Sequence, residues 1–261
     1  MIQELASIPQ QLQTIAQPPK KLYFCGNADL LNRPIVAVVG SRSCGNYAKT
    51  WTRRIASALS LAGAVVVSGG AMGIDAIAHE AAFPNTIAIL AGSIDVGFTQ
   101  ANRALIERMK ERSLILSEYD EKIEPRTWSF VHRNRLVTAL ASAVCIMEAT
   151  TNSGSMTSAN FAISQRRELF ALPHRIDESS GTNGLIASGA ARAIWGEEQL
   201  LEALGLSARI SDDELIRYCL DRPTYEEALE RFGARLFEYE LGGKISIANG
   251  RVEVASVHSG A

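Results

Sequence analysis

Five short segments of the chain carry residue types suited to holding anions. Val39-Gly40-Ser41-Arg42 ends an apolar run with a small residue and a guanidinium. A glycine lets backbone approach an anion closely, and the arginine fork matches a pair of phosphate oxygens. Ser68-Gly69-Gly70-Ala71-Met72-Gly73-Ile74-Asp75 leaves a second apolar run and opens a helical pattern. The free N–H groups at such a helix start attract negative charge. Trp128-Ser129-Phe130-Val131-His132-Arg133-Asn134-Arg135 sets aromatic rings beside two cations. That is the composition of a platform that stacks a base and neutralises its phosphates. Ser153-Gly154-Ser155-Met156-Thr157 places hydroxyls at a turn into a helix, where they cap it or bind phosphate. Gly181-Thr182-Asn183 reads as a polar turn before another helical stretch. Each segment alone also has a plain structural reading: a solvated Arg42, glycine turns that serve packing, or Phe130 as a core anchor with its arginines in water. Asp75 and His79, four apart on one helical face, suit mutual orientation or capping better than acid–base chemistry.

Other chemistries lack their parts. The glycines follow neither the GxGxxG nor the GxxxxGK[ST] spacing, so there is no dinucleotide fingerprint and no P-loop. No GxSxG elbow or HExxH pair occurs, and the 4 His and 4 Cys are scattered. Glu118 and Glu148 follow strand-like runs without a partnered nucleophile or metal, and read as orienting groups or as contacts to an Arg. The expectation is a protein that is not an enzyme, with no catalytic residue, cofactor or metal. Cys25, Cys44, Cys145 and Cys219 read as free, partly buried thiols in a reducing cytosol.

The elements that must position these segments are legible as a repeat. Short β-branched runs at 35–40, 64–68, 86–91, 114–117, 143–148 and 168–171 are nearly all apolar, as strands buried on both faces of a parallel sheet are. Amphipathic helical patterns lie between them, at 47–61, 74–82, 102–111 and 130–140. The alternation predicts an α/β fold with a mostly parallel sheet covered by helices on both faces. All five segments then fall on the carboxyl edge of that sheet, where open α/β sheets bind ligands. A helical pattern at 197–204 closes the array and a polar linker follows at 207–211. Residues 212–261 read as two short helices, with Asp212 as N-cap, and a hairpin turning at Asn249-Gly250. Helices before a hairpin suggest a small winged-helix-like domain after a first domain spanning 1–206. It is short enough to depend on docking or self-association. The net charge of −2 excludes a broad basic coat but not a local basic groove. Neither a membrane-spanning run nor a secretory start is read in the sequence, so a cytoplasmic location is expected.

Taken together, these motifs resemble the DprA/Smf family of bacterial DNA-processing proteins, over about residues 19–204. The resemblance runs in order through Leu22-Tyr23 and Gly26, Val38 to Arg42, Ser68 to Asp75 with Ala78-His79, and Ser117-Glu118-Tyr119. Phe130 with Arg133-Asn134-Arg135, Ser153 to Ala159, Ala171-Leu172-Pro173 and Gly181-Thr182-Asn183 complete it. It implies an extended Rossmann-like fold, homodimerisation, and single-stranded DNA held in a basic pocket. Family members protect incoming single strands during natural transformation and help load the RecA recombinase. By carry-over, Ser41, Arg42 and the turn of Ser68, Gly69, Gly70, Ala71 and Gly73 would contact phosphates. Phe130 would lie by a base, Arg133, Asn134 and Arg135 would supply charge and polar contacts, and Ser153, Gly154, Ser155 and Thr157 would close the pocket. Where many relatives carry a basic residue three before the Phe, this chain has Thr127, with Arg126 as the candidate replacement. Val131, His174 and Phe98-Thr99 also depart from common family residues, and no counterpart of the usual N-terminal helical extension is expected.

Two other functions fit the same core. A nucleoside-monophosphate phosphoribohydrolase would carry a PGGxGTxxE string, which this sequence lacks, and would release free base from AMP. A pure interaction scaffold would leave oligonucleotide binding indifferent to changes at Arg42 and Arg133.

Overall fold

The computed structural model describes residues 1–95, 100–120, 122–206 and 213–254. A two-residue strand β1 (Gln3–Glu4), a single helical turn α1 (Gln10–Gln13) and strand β2 (Tyr23–Gly26) come first. Strand β3 (Ile35–Val39) then starts a regular alternation: α2 (Asn46–Leu61), β4 (Val65–Ser68), α3 (Ile74–Ala82), β5 (Thr86–Ile89), α4 (Gln100–Arg112) and β6 (Leu114–Ser117). It continues through α5 (Thr127–Leu140), β7 (Ala143–Ile146), α6 (Gly154–Ser164), β8 (Glu168–Ala171), α7 (Ser180–Ala187), β9 (Arg192–Ala193) and α8 (Glu197–Ala203).

One sheet of nine strands results, in the order β1-β2-β6-β5-β4-β3-β7-β8-β9. The strands from β6 across to β9 are parallel, while β2 adds antiparallel to β6 and β1 to β2. The six expected strands are all present. The two antiparallel edge strands and β9 carry no pattern of their own; β2 forms because β6 offers an unpaired edge, with Tyr23 opposite Ser117.

Alternation along β3 shows how both faces are buried. Ile35, Ala37 and Val39 pack with α1, α5, α6 and α7, while Val36 and Val38 pack with α2, α3 and α8. Leu105, Ile106 and Met109 of α4 cover β5 and β6 through Ala88 and Ile115. Each fully buried aliphatic side chain contributes about 1.5–3 kcal/mol to folding. From β3 the chain winds outward to β6, then α5 crosses back and the winding resumes in the other direction through β7 to β9. The reversal lies between β3 and β7, and the loops there diverge to leave a crevice.

Beyond α8 follow α9 (Glu214–Cys219), α10 (Tyr225–Phe232), α11 (Ala234–Leu241), β10 (Ile245–Ala248) and β11 (Arg251–Val254). Asn249 and Gly250 both have positive φ (52° and 72°), as a two-residue hairpin turn requires. The helix α11 is an addition to the expected two; Gly233, at φ 54°, separates it from α10. Asp213 caps α9 by accepting the Leu215 N–H at 2.9 Å; Asp212, the linker 207–211 and Phe98-Thr99 lie outside the described residues. Thr224 and Glu227 close α10 with a reciprocal capping box. These elements share an apolar cluster of their own that includes Leu215, Cys219, Leu236 and Val252. Among the described residues no helix is long and apolar enough to cross a membrane, and all four cysteines are free and buried.

Candidate nucleic-acid interface

The loops after β3, β4 and β7 are laced together before they can present anything. Ser41 donates its N–H to Glu148 O at 2.9 Å, and Ile74 donates to Ser41 O at 3.1 Å. The second contact needs Gly73, which sits at φ 77° and whose added β-carbon would lie 2.4 Å from Ser41 O. Glu148 accepts the Gly45 N–H at 2.9 Å and so fixes the start of α2. It acts as the orienting group its position suggested.

A buried charge network stiffens the β4 turn. Asp75 is fully enclosed and accepts the N–H groups of Gly69 and Ala71 at 3.2 and 3.3 Å. Arg133 donates to the carbonyls of Gly69 and Ile89 from α5, and its Nε reaches Asn134 Oδ1 at 3.2 Å. A β-carbon at Gly69 would stand 2.5 Å from the guanidinium, so a larger residue there would have to displace the Arg133 head group. Burial pushes Asp75 up against the opposing pull of Arg133, and pushes Arg133 down to about 10. Ser68 is equally inward, its hydroxyl donating to Val38 O at 2.7 Å. His79 does not contact Asp75; its ring meets Thr86 Oγ1 at 2.7 Å. Neither mutual orientation nor a side-chain cap of α3 is formed: Asp75 holds the N–H groups of the turn before the helix instead.

Above this base opens a cleft of about 570 Å³ at the reversal point of the sheet. One wall is the β3 loop, with Ser41 and Arg42; the opposite wall is the first turns of α5 and α6. Arg42 is exposed and holds its guanidinium over the Phe130 ring, 4.8 Å from the centroid. Phe130, Arg133, Asn134 and Val137 follow the i, i+3, i+4, i+7 spacing, so they line the cleft as one helical stripe. Ser153, Gly154 and Ser155 complete the rim, and Gly69 and Ala71 form part of the floor. Of the charged groups lining it, Asp75 and Arg133 are buried against each other, which leaves Arg42 as the exposed charge.

Six of the candidate residues lie off the lining. Gly70 and Gly73 shape the turn from behind, Ser68 is in the sheet, and Thr157 points along α6 while Ser158 takes the inward position. Arg126 is exposed as the N-cap of α5, its N–H bonded to Ser129 Oγ at 2.8 Å. Arg135 is turned to another face of α5. It forms a two-pronged pair with Glu118 at 2.8 and 2.6 Å and ties down Gln17 O at 2.9 Å. Ser43, Thr127 and Ser158 line the cleft although none was a candidate contact residue from the sequence. Helical spacing was the signal for the latter two, since Thr127 lies three before Phe130 and Ser158 three after Ser155, whereas Ser43 sits in the bend after β3. Gly181-Thr182-Asn183 is corrected from a turn to the first turn of α7; there Asn183 accepts the His174 N–H at 3.0 Å and holds the preceding loop.

Residues 1–205 match the family described as DNA recombination-mediator protein A. The chain belongs to this family. The resemblance drawn from its motifs is thereby established, and with it the extended Rossmann-like fold. The DprA/Smf relatives include the Smf protein of Synechocystis, 38% identical over 206 residues, and the DNA processing protein DprA of Streptococcus pneumoniae, 37% identical over 199. These alignments cover 76% and 74% of this chain; the chain spans 52% of the Synechocystis protein's length and 70% of the Streptococcus protein's. A solved DNA processing protein A from Helicobacter pylori, described for its single-stranded DNA binding mode, superposes with a TM-score of 0.76 at 41% identity. That superposition covers 78% of this chain and 95% of that one. The Streptococcus pneumoniae DprA structure superposes at 0.71 with 36% identity, covering 75% and 70%. The DprA/Smf match thus extends over the sheet and the cleft, and stops short of α9 to β11.

Proposed function

We propose that this protein binds single-stranded DNA in the cleft between the β3 loop and α5, without catalysing a reaction on it. The observation that carries the reading is the Arg42–Phe130 pair: a flat cation and a flat ring, 4.8 Å apart, at the mouth of a cleft whose other polar groups are fixed. A phosphate can take the outer edge of the guanidinium while a base stacks on the ring, and neither contact depends on base identity. The Helicobacter relative's description supports this ligand, and the family description supports a place in recombination. On this reading the protein works in the cytoplasm as a homodimer, protects single strands taken up during transformation, and helps load RecA onto them.

The test is fluorescence anisotropy with a labelled oligothymidylate, on wild type, Arg42→Ala, Phe130→Ala and the double variant. Each single change is expected to weaken binding by about 1–3 kcal/mol. Because the two groups touch, the double variant should lose less than the sum. Absence of wild-type binding at low salt would overturn the proposal. Release of free base from AMP would instead favour the phosphoribohydrolase reading.

A further inference from the structure

Between the sheet-bearing part of the molecule and its C-terminal elements lies a second cavity, of about 720 Å³, at the C-terminal ends of α2 and α3. Its chemistry is lopsided. Arg33, Arg108 and Arg222 line it with Phe83, against Glu80 and Glu253. Arg108 and Arg112, both exposed on α4, hold their guanidinium groups over the Phe83 ring at 4.7 and 5.5 Å. Arg222 pairs with Glu253 and, at 3.8 Å, with Glu80, yet its buried Nε has no acceptor among the described residues. Burial lowers the Arg222 pKa against the opposing pull of Glu80, and Arg53, Arg108 and Arg251 add to the lowering by crowding it with like charge.

A shallow hollow of about 380 Å³ connects this cavity to the cleft. It shares Arg42 and Ser43 with the cleft and Glu80 with the cavity, and Lys49 stands between. The three recesses form one groove, entered at Arg42 and ending under the C-terminal elements. We propose that this groove is a track for the phosphodiester backbone, so that a strand held at Arg42 and Phe130 continues past Lys49 to an arginine site at Phe83. The inference rests on the single-strand reading of the cleft. The ligand class follows from the continuity: cations in excess of the two carboxylates, Glu80 and Glu253, and beginning at a base-and-phosphate site suit the next phosphates of that strand. Phe83 under two guanidinium groups repeats the ring-and-cation arrangement of Phe130 under Arg42.

The experiment compares oligothymidylates of about 6 and about 30 nucleotides, the shorter being long enough for one site only. Arg108→Ala/Arg112→Ala removes two exposed helix residues that lie over the Phe83 ring and do not line the cleft, and is checked for native circular dichroism. It should bind the short oligonucleotide as wild type does, bind the long one about tenfold more weakly, and show a flatter salt dependence for the long one alone. Glu80→Gln, which removes a repelling carboxylate from the track, should tighten the long oligonucleotide and leave the short one unchanged. Unaltered long-strand affinity and salt dependence in the double arginine variant overturns the track and hands the cavity to another anion, such as an acidic protein segment. Failure of the cleft itself would look different, since wild type would then bind neither length and Arg42→Ala would change nothing.

Discussion

At the scale of single residues, three arginines in this chain share a side chain and little else. Arg42 is exposed, and its charge is available to a ligand. Arg133 is 4% exposed, with Asp75 as its countercharge and the carbonyls of Gly69 and Ile89 as its acceptors. Arg135 is clamped on Glu118. Substituting Arg133 with Met should therefore register first as lost stability. The variant strands a buried Asp75 and two carbonyls, a loss of about 3–5 kcal/mol. Arg42→Ala, by contrast, should leave stability within about 0.5 kcal/mol of wild type while weakening DNA binding. Urea unfolding of the two variants separates them. Equal stability of Arg133→Met and wild type would mean that the buried network is not what holds the turn. The sequence shows these three residues as equivalent cations because it carries type and spacing but not direction. A helix turn of 100° per residue puts Arg133 and Arg135 on different faces, and that difference decides their roles.

At the scale of elements, α3 and β5 are joined by a group that cannot take a charge without disturbing them. Thr86 donates its hydroxyl to Val66 O at 2.8 Å, so the His79 ring must donate from Nδ1 to Thr86 Oγ1. Its Nε2 is buried with no partner among the described residues. Burial, with Arg133 nearby, holds the imidazole down to about 3, against an ordinary value of 6.5. Below 6.5 the unfolded chain binds a proton that the fold refuses. Stability is therefore full above that pH and falls as the pH is lowered toward 3, by about 1.4 kcal/mol per unit within the window. In His79→Gln the decline between pH 6.5 and 4 should be visibly flatter, read from urea midpoints at several pH values. Parallel curves for the two proteins would refute the assignment. His79 also marks how far elements are legible in advance. Apolar runs such as Ile35–Val39 declare themselves, because burial on both faces leaves no other composition open to them. Gln3–Glu4, Tyr23–Gly26 and Arg192–Ala193 do not, since an edge strand is specified by the neighbour it completes. The cleft was legible for the same reason as the core strands. Its walls follow from where strands end, so the β3 loop and the α5 and α6 starts could be placed together, while the inward amides of Gly69 and Ala71 depended on a partner, Asp75, whose reach no spacing encodes.

At the scale of the whole molecule, charge decides what kind of nucleic-acid contact is open to it. A net charge of −2 gives no long-range attraction to a polyanion, so affinity must come from local groups. In the cleft those groups reduce to one exposed cation, because Arg133 and Asp75 offset each other. For a single strand, each neutralised phosphate contributes a slope of roughly −0.7 to a plot of log affinity against log salt. An oligonucleotide short enough to fill only the cleft should then show a slope near −1, corresponding to about one or two phosphates. On the proposed reading the remainder of its affinity would come from stacking on Phe130 and from uncharged donors, both of which salt scarcely affects. Anisotropy titrations between low and moderate salt measure the slope directly. A value several times steeper for the short oligonucleotide would place more cations on the strand than the cleft exposes, and would move the primary contact away from Arg42. A shallow slope that vanishes in Arg42→Ala would assign the electrostatic part of binding to that one guanidinium.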